Sequence, residues 1–300
     1  MSDNPRISII IPVYNCLELT RKCIESIEAN QTPELPLEII LVDDISTDGA
    51  REYVAEFQGR AGYQVILREE KGSFSINNNQ AARLARAPIL CLLNNDTIVT
   101  PGWLEPMVTL LENRPQAGLV GNVQLNPNTG LVDHVGMVCW PDGAVRQARK
   151  NRGILPAESW LEWSSVTAAC VLIHREVYLS IGGLDEAYRN GCEDADLALR
   201  LKEAGYKHYV CNRSVIYHHV SSAPGRANHL SANEQLLCER WADKVAQWSH
   251  QEWPMEYFQR YARHWWKLRP DRVLRALMWR VRYGPWRRER GAKVPGRALL

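Results

Sequence analysis

The sequence predicts an α/β protein: a mostly parallel central sheet flanked by helices, followed by a basic helical extension. Three observations predict it. Over residues 7–93, short β-branched apolar runs alternate with stretches of helical period, an order that makes neighbouring strands parallel and sends helices to both faces. Each of three runs opens into polar residues at its carboxyl end, Tyr14-Asn15, Asp43-Asp44 and Asn94-Asn95-Asp96, which is where open sheets of this kind bind ligands. The charge is divided as well. Residues 259–300 hold 13 Lys plus Arg against only Asp271 and Glu289, a net of +11, so the rest of the chain carries −9 within a total of +2.

The elements follow in order. Ile7–Ile11, closed by Pro12, reads as a buried strand. Cys16, Thr20, Cys23, Ile24 and Ile27 share one helical face. Leu37–Val42 is a second strand, and Ser46-Thr47-Asp48-Gly49 caps a helix over Ala50–Phe57. Gln64–Leu67 is a third strand, Ile76–Ala87 a helix and Pro88–Leu93 a fourth strand. The domain is expected over residues 1–225 and the extension over 226–300, divided after Ser221-Ser222-Ala223-Pro224-Gly225.

A chain of 300 residues with 45% hydrophobic and 23% charged residues buries an ordinary globular core. That composition excludes disordered and coiled-coil classes, and the balanced charge excludes a uniformly basic nucleic-acid binder. No G-x-G-x-x-G follows the first strand and no G-x-x-x-x-G-K-[ST] occurs, which argues against a dinucleotide site and removes a P-loop. None of the eight cysteines forms a C-x-x-C pair, so they read as thiols. Met1–Arg6 runs directly into the first strand and no apolar stretch approaches the roughly 18 residues of a spanning helix. The expected location is therefore the cytoplasm.

Three segments carry chemistry. Asn94-Asn95-Asp96 is an oxygen-rich strand end that suits a hard divalent cation, although Asn and Asp also favour plain turns. Glu193-Asp194-Ala195-Asp196 opens an amphipathic helix. The helix dipole accounts for one or two acids there, while three suggest that one faces a site as a proton acceptor. His218-His219 ends a β-branched strand, whose alternation turns one ring in and the other out.

Together with Ile9–Asn15, Val42–Gly49 and Gly182-Gly183-Leu184-Asp185-Glu186, these segments resemble, in order and spacing, the family 2 glycosyltransferases over about residues 6–222. The Asn-Asn-Asp form, Gly72–Asn79 ahead of it and Asp133-His134-Val135-Gly136 resemble that family's bacterial rhamnosyltransferase-like branch. The resemblance implies a GT-A fold and an inverting transfer from a nucleoside-diphosphate sugar to a glycan or lipid-linked hydroxyl in cell-surface polysaccharide synthesis. It implies that Pro12, Tyr14, Asp43, Asp44, Asn79, Asn94 and Asn95 bind substrate, that Asp194 with Glu193 beside it is the base, and that Asp96, His218 and His219 serve a divalent cation, Mg²⁺ or Mn²⁺. Three positions depart from the pattern: Asn94 stands where many relatives have Asp, Ala168 where they often have Gly, and Ile45 where a small residue is usual. A non-catalytic nucleotide-sugar-binding module of a larger assembly is the alternative. Asn94 and Ala168 favour it, and the intact Glu193-Asp194 opposes it. A nucleotidyltransferase would carry a Gly-rich basic loop after the first strand, which Pro12–Cys16 is not.

The extension holds seven of the 11 tryptophans, from Trp241 to Trp286. Val273, Leu274, Leu277, Met278 and Val281 recur at helical spacing among Arg272, Arg275, Arg280 and Arg282, a pattern that suits an anionic membrane surface on the cytoplasmic face of the inner membrane. A helix packed on the core is the other reading, and nucleic acid is not an expected partner.

Overall fold

In a computed structural model of the chain, residues 4–148, 157–219, 230–262, 264–284 and 289–293 are described. The elements are β1 (Ile7–Val13), α1 (Leu17–Ala29), β2 (Leu37–Asp43), α2 (Ala50–Ala55), β3 (Tyr63–Leu67), α3 (Phe74–Leu84), β4 (Ile89–Leu93), β5 (Thr97–Val99) and α4 (Glu105–Glu112). They continue with β6 (Ala117–Leu125), β7 (Val132–His134), β8 (Met137–Cys139), β9 (Val145–Gln147), β10 (Trp160–Trp163), β11 (Cys170–His174) and α5 (Arg175–Ser180). The last are α6 (Glu193–Glu203), β12 (Lys207–His218), α7 (Leu230–Tyr261) and α8 (Pro270–Tyr283).

The main sheet runs β10-β12-β6-β11-β4-β1-β2-β3, with β5 against β12 and β7 against β6. Strands β1, β2, β3 and β4 are parallel, and across the antiparallel β11 the pair β6 and β12 resumes their direction. Alternation along each strand divides the core. Ile7, Ile9, Ile11, Ile39 and Leu41 pack under α1, α2 and α4, while Ile10, Ile40, Val42, Leu90 and Leu92 pack under α3, α5 and α6. Both faces are covered, which is why these strands read as continuous apolar runs.

One buried carboxylate ties the opening strands together. Glu38, on β2, accepts from Ser8 Oγ (2.6 Å), Gln64 Nε2 (2.7 Å), the Arg86 N–H (2.8 Å) and Arg86 Nε (2.7 Å). Burial works against its charge, yet these donors hold its pKa below the ordinary carboxylate value. They also set the bounds of α3. Ser73 caps it by accepting the Ile76 N–H (3.3 Å), and the chain leaves the helix at Ala85 so that Arg86 reaches Glu38. The helix therefore starts and stops two to three residues before the expected Ile76–Ala87.

The extension is not one surface. The expected boundary near 225 and Val220 to Gly225 lie outside the described residues, as do Trp286 and its neighbours. Helix α7 lies on the domain: Leu237, Trp241 and Val245 form a core with Cys139, Tyr188, Ala195 and Leu199. Trp241 Nε1 donates to Asp196 (2.9 Å), and Glu252 pairs with Lys202 (2.6 Å) and hydrogen-bonds Ser164. Residues 289–293 bridge to the edge strand β10, and Glu289 pairs with Arg114 and Lys207.

Glu38→Ala removes the acceptor for four donors at once. Denaturant unfolding is expected to show a loss of about 2–4 kcal/mol, and a change below about 0.5 kcal/mol, the usual range for inert surface sites, would contradict this account of the first three strands.

Candidate active site

The parallel strands end at one edge, and a cleft of about 960 Å³, mouth included, opens there. Its lining includes Pro12, Tyr14, Asp44, Asn94, Asn95, Asp96, Glu193, Asp194 and His218, all expected from the sequence, together with Lys71, Phe74, Asn77, Thr167, Ala168 and Asn190. The register explains the first group: Val13 stands opposite Asp43 and Ile10 opposite Leu92, so the polar residues that follow each strand arrive together.

The strand-end loops are fastened to one another. Asn15 donates its N–H to Ser46 Oγ (2.8 Å) and accepts the Thr47 N–H at Oδ1 (2.8 Å). Asn95 Nδ2 donates to Asn15 O (3.2 Å) and Thr20 Oγ1 (2.8 Å). Asp44 Oδ1 accepts the Gly72 N–H (2.6 Å), and Lys71 Nζ lies 3.1 Å from Asp44 Oδ2 and over the Tyr14 ring. Burial holds the Lys71 pKa below its ordinary value, with Asp44 opposing that shift.

Asp43 does not line the cleft. It sits behind, fully buried, paired with Arg51 (2.6 Å) and accepting the N–H groups of Ile45 and Ser46 (3.1 and 3.3 Å). That grip holds Ile45 at φ 62°, a conformation costly for a β-branched residue. Asn79 is also outside the cleft. Its Oδ1 accepts from Tyr178 OH (2.6 Å) and the Leu184 N–H (3.0 Å), and its Nδ2 donates to Leu184 O (2.8 Å). Gly183 is glycine for this reason, since at φ 70° a Cβ would stand 2.3 Å from Asn79 Oδ1. Asn77, one position of the same segment that the sequence reading passed over, is the one that reaches the cleft.

Strand β12 delivers His218 to Asp96. It pairs antiparallel with β5, His218 opposite Thr97, and the His219 N–H donates to Asp96 O (2.9 Å). His219 is not among the lining residues. His218 Nε2 lies 3.3 Å from Asp96 Oδ1 and Nδ1 lies 3.5 Å from Asp133 Oδ2. These are electrostatic contacts, and neither ring nitrogen nor Asp96 Oδ1 makes an aligned hydrogen bond. Burial disfavours the imidazolium, but Asp133 and Asp96 outweigh it and lift the pKa to about 8. Among the described residues no group of three or more His, Cys, Asp or Glu is arranged as a metal site. A buried carboxylate oxygen and an imidazole nitrogen without aligned partners suit a divalent cation whose other ligands come from a bound anion and water.

The motif Asp133–Gly136 thus holds the site from behind. Besides Asp133 facing His218, His134 Nε2 accepts the N–H groups of Gly136 (3.1 Å) and Thr167 (3.2 Å). A Cβ on Gly136, at φ 112°, would stand 2.3 Å from Trp163.

Of the three acids opening α6, two line the cleft. Asp196 is buried against Arg200 (2.7 Å), Trp241 and Tyr188. Glu193 lines the cleft but accepts the Gly191 N–H. Asp194 is half-buried, and its oxygens accept the N–H groups of Ala195 (2.8 Å) and Ala168 (3.3 Å). These two donors orient a carboxylate that can take a proton from a hydroxyl in the cleft.

Comparison with known proteins agrees with this geometry. Residues 8–181 match the profile of Glycosyl transferase family 2. The chain is 32% identical over 241 residues to the O-antigen biosynthesis protein RfbC of Myxococcus xanthus, covering 78% of this chain and 19% of that protein. It is 24% identical over 240 residues to an N-acetylglucosaminyl-diphospho-decaprenol L-rhamnosyltransferase of Mycobacterium tuberculosis, covering 72% and 78%. It spans 26% of an uncharacterized Sinorhizobium fredii protein, to which it is 32% identical, so two of its relatives are far longer. Its fold is that of the Pyrobaculum calidifontis mannosyltransferase PcManGT solved with GDP-Man and Mn²⁺ (TM-score 0.60, 17% identity, 94% of this chain and 81% of that one). GalNAc-T7 solved with UDP, GalNAc and Mn²⁺ is similar too (TM-score 0.63, 15% identity, 85% and 51%). With the match spanning residues 8–181 and the strand-end motifs gathered in one cleft, the chain belongs to glycosyltransferase family 2 and has the GT-A fold.

Proposed function

We propose that this chain moves a sugar, with inversion, from a nucleoside-diphosphate sugar to a hydroxyl of a glycan or lipid-linked acceptor in bacterial cell-surface polysaccharide synthesis, working in the cytoplasm at the inner membrane. The observation that carries the reading is the pairing, in one cleft, of Asp194 with the Asp96–His218 cation ligands. The relatives' names, O-antigen biosynthesis and rhamnosyl transfer to a decaprenol-linked acceptor, support it.

Asp96 and His218 would hold Mg²⁺ or Mn²⁺, with Asn94 beside them. The cation would supply charge to offset what develops on the departing diphosphate. Pro12, Tyr14, Asp44 and Asn95 form the nucleoside end of the cleft, and Lys71 and Asn77 add donors there. Asp194 removes the proton from the acceptor hydroxyl. The acceptor oxygen bonds the anomeric carbon as the carbon–oxygen bond to phosphate breaks, and its electron pair leaves with the nucleoside diphosphate. Direct displacement needs no covalent intermediate, so none of the cysteines acts as a nucleophile.

Incubation with UDP-, GDP- and dTDP-sugars, glycan or lipid-linked acceptors and Mn²⁺ tests this by nucleoside diphosphate release. Asp194→Asn is expected to lower the turnover by about 10²–10⁴-fold, and Asp96→Ala to abolish the metal response. Turnover unchanged by either substitution would refute the assignment of these residues.

The pH dependence follows from His218. Its pKa is raised from 6.5 to about 8 in the folded protein, so its proton stabilises the metal-free fold fully below pH 6.5 and that stability is lost as pH rises through about 8. The expected loss is about 2 kcal/mol. It should vanish in His218→Asn, and Mn²⁺, which must displace the proton, should raise the melting temperature more above pH 8 than below 6.5. A Mn²⁺ shift that is the same on both sides would contradict cation binding at His218.

A further inference from the structure

Helix α8 divides its residues between two faces. Ala276 is fully buried, and Val273 and Trp279 pack with it against Trp253, Tyr257 and Trp140. His250 of α7 stacks on Tyr283 and packs at a tilt against Trp279. On the opposite face Leu274, Leu277, Met278 and Val281 are 61%, 49%, 61% and 88% exposed. Their spacing of three, one and three residues makes one continuous stripe along the helix. The turn leading into α8 adds Trp265 and Trp266, 72% and 61% exposed. Of the stripe noted in the sequence, only Val273 packs the helix down, together with Ala276 and Trp279; the other four residues face outward.

Charge borders this stripe on both sides. At helical spacing Arg275 and Arg282 fall along one flank and Arg280 along the other, and all three are exposed. Asp271 is the one acid of the helix, and it is paired with Arg269 (3.2 Å). A second copy of this chain laid on the same face would bring arginine against arginine. A flat anionic surface instead meets the guanidinium groups at its headgroups and the Leu, Met, Val and Trp side chains below them. With 14 residues, about 21 Å long, α8 is too short to cross a bilayer core of roughly 30 Å. No described helix is long and apolar enough to cross one.

We propose that the outer face of α8, with Trp265 and Trp266, is the surface by which the protein lies on an anionic membrane. This binding needs neither donor nor acceptor, so it stands or falls separately from the transfer reaction, and it supplies the place where a lipid-linked acceptor is met.

Flotation of the full chain with vesicles, without donor sugar, tests it. Binding is expected to equimolar phosphatidylglycerol and phosphatidylcholine, to weaken with salt, and to be far weaker on phosphatidylcholine alone. Leu277→Glu with Val281→Glu should reduce binding at least about tenfold, and Arg280→Glu with Arg282→Glu should remove the preference for anionic lipid. Both variants should keep the parent's melting temperature and its nucleoside diphosphate release in solution. Failure of the parent to float, binding blind to lipid charge, or binding equal in the variants would overturn the proposal. So would a dimer in solution that Leu277→Glu with Val281→Glu dissolves while vesicle binding is absent, since the stripe would then belong to a second copy.

Discussion

The shared direction of β1, β2, β4, β6 and β12 is the constraint on which the rest depends. Ser8 and Glu38, buried on the opening strands, are partnered within the sheet and by Arg86, and the polar residues of the cleft gather at the strand ends. Parallel pairing then puts those ends at one edge. Two of the carboxylates there are themselves buried: Asp44 and Asp96 are 4% and 7% exposed. Groups so placed need partners, and each loop finds them in the next: Asn15 with Ser46 and Thr47, Asp44 with Gly72, Asn95 with Thr20. Within the cleft Asp96 Oδ1 and the His218 nitrogens, like Asn77 Oδ1 and Asn94 Oδ1, are buried without aligned partners, and a carboxylate oxygen beside an imidazole suits a divalent cation.

Much of this was legible in the sequence, and the parts that were not have identifiable causes. The first four strands were plain because burial on both faces makes them uninterrupted apolar runs. Asp96, Asp194 and the His218-His219 pair drew attention because each stands at an element's end, while which histidine faces the cleft was left open. Asn79 and Asn77 were confused because the choice depends on helix phase: two residues on a helix differ by about 200°, so only one of the pair can meet the cleft. Lys71 and Asp133 come from a loop and a short strand, where no periodicity announces direction. A buried Asp ahead of His-Val-Gly carries no local sign that its partner is 85 positions away at His218.

The division of charge also takes a different meaning. The tail looked like one basic, tryptophan-rich segment, but its aromatic residues serve two ends. Trp241 and Trp253 are buried and hold α7 on the domain, one through an Nε1–H bond to the same Asp196 that sits two residues from Asp194. Arg275, Arg280 and Arg282 of α8 are instead exposed, away from that contact. Composition summed over the segment could not separate the two, because the separation is made by which residues of α8 face α7.

The departures from the family pattern can be weighed on the same terms. Four carboxylates line the cleft, Asp44, Asp96, Glu193 and Asp194, and the Lys71 ammonium is already spent on Asp44. A diphosphate entering this cleft meets net negative charge and depends on a cation to be held. With Asn94 neutral and Asp96 the one carboxylate proposed to hold the cation, a divalent ion there would keep an unbalanced positive charge for the diphosphate, which a second carboxylate would cancel. Ala168 contributes through its backbone, donating to Asp194, so exchanging its methyl group for hydrogen leaves that donor in place. Ile45 costs backbone strain, but Asp43 and Arg51 lock the turn behind the cleft, out of reach of the reacting groups. None of the three positions removes a group that the proposed transfer uses, and this favours a working enzyme over a silent binding module.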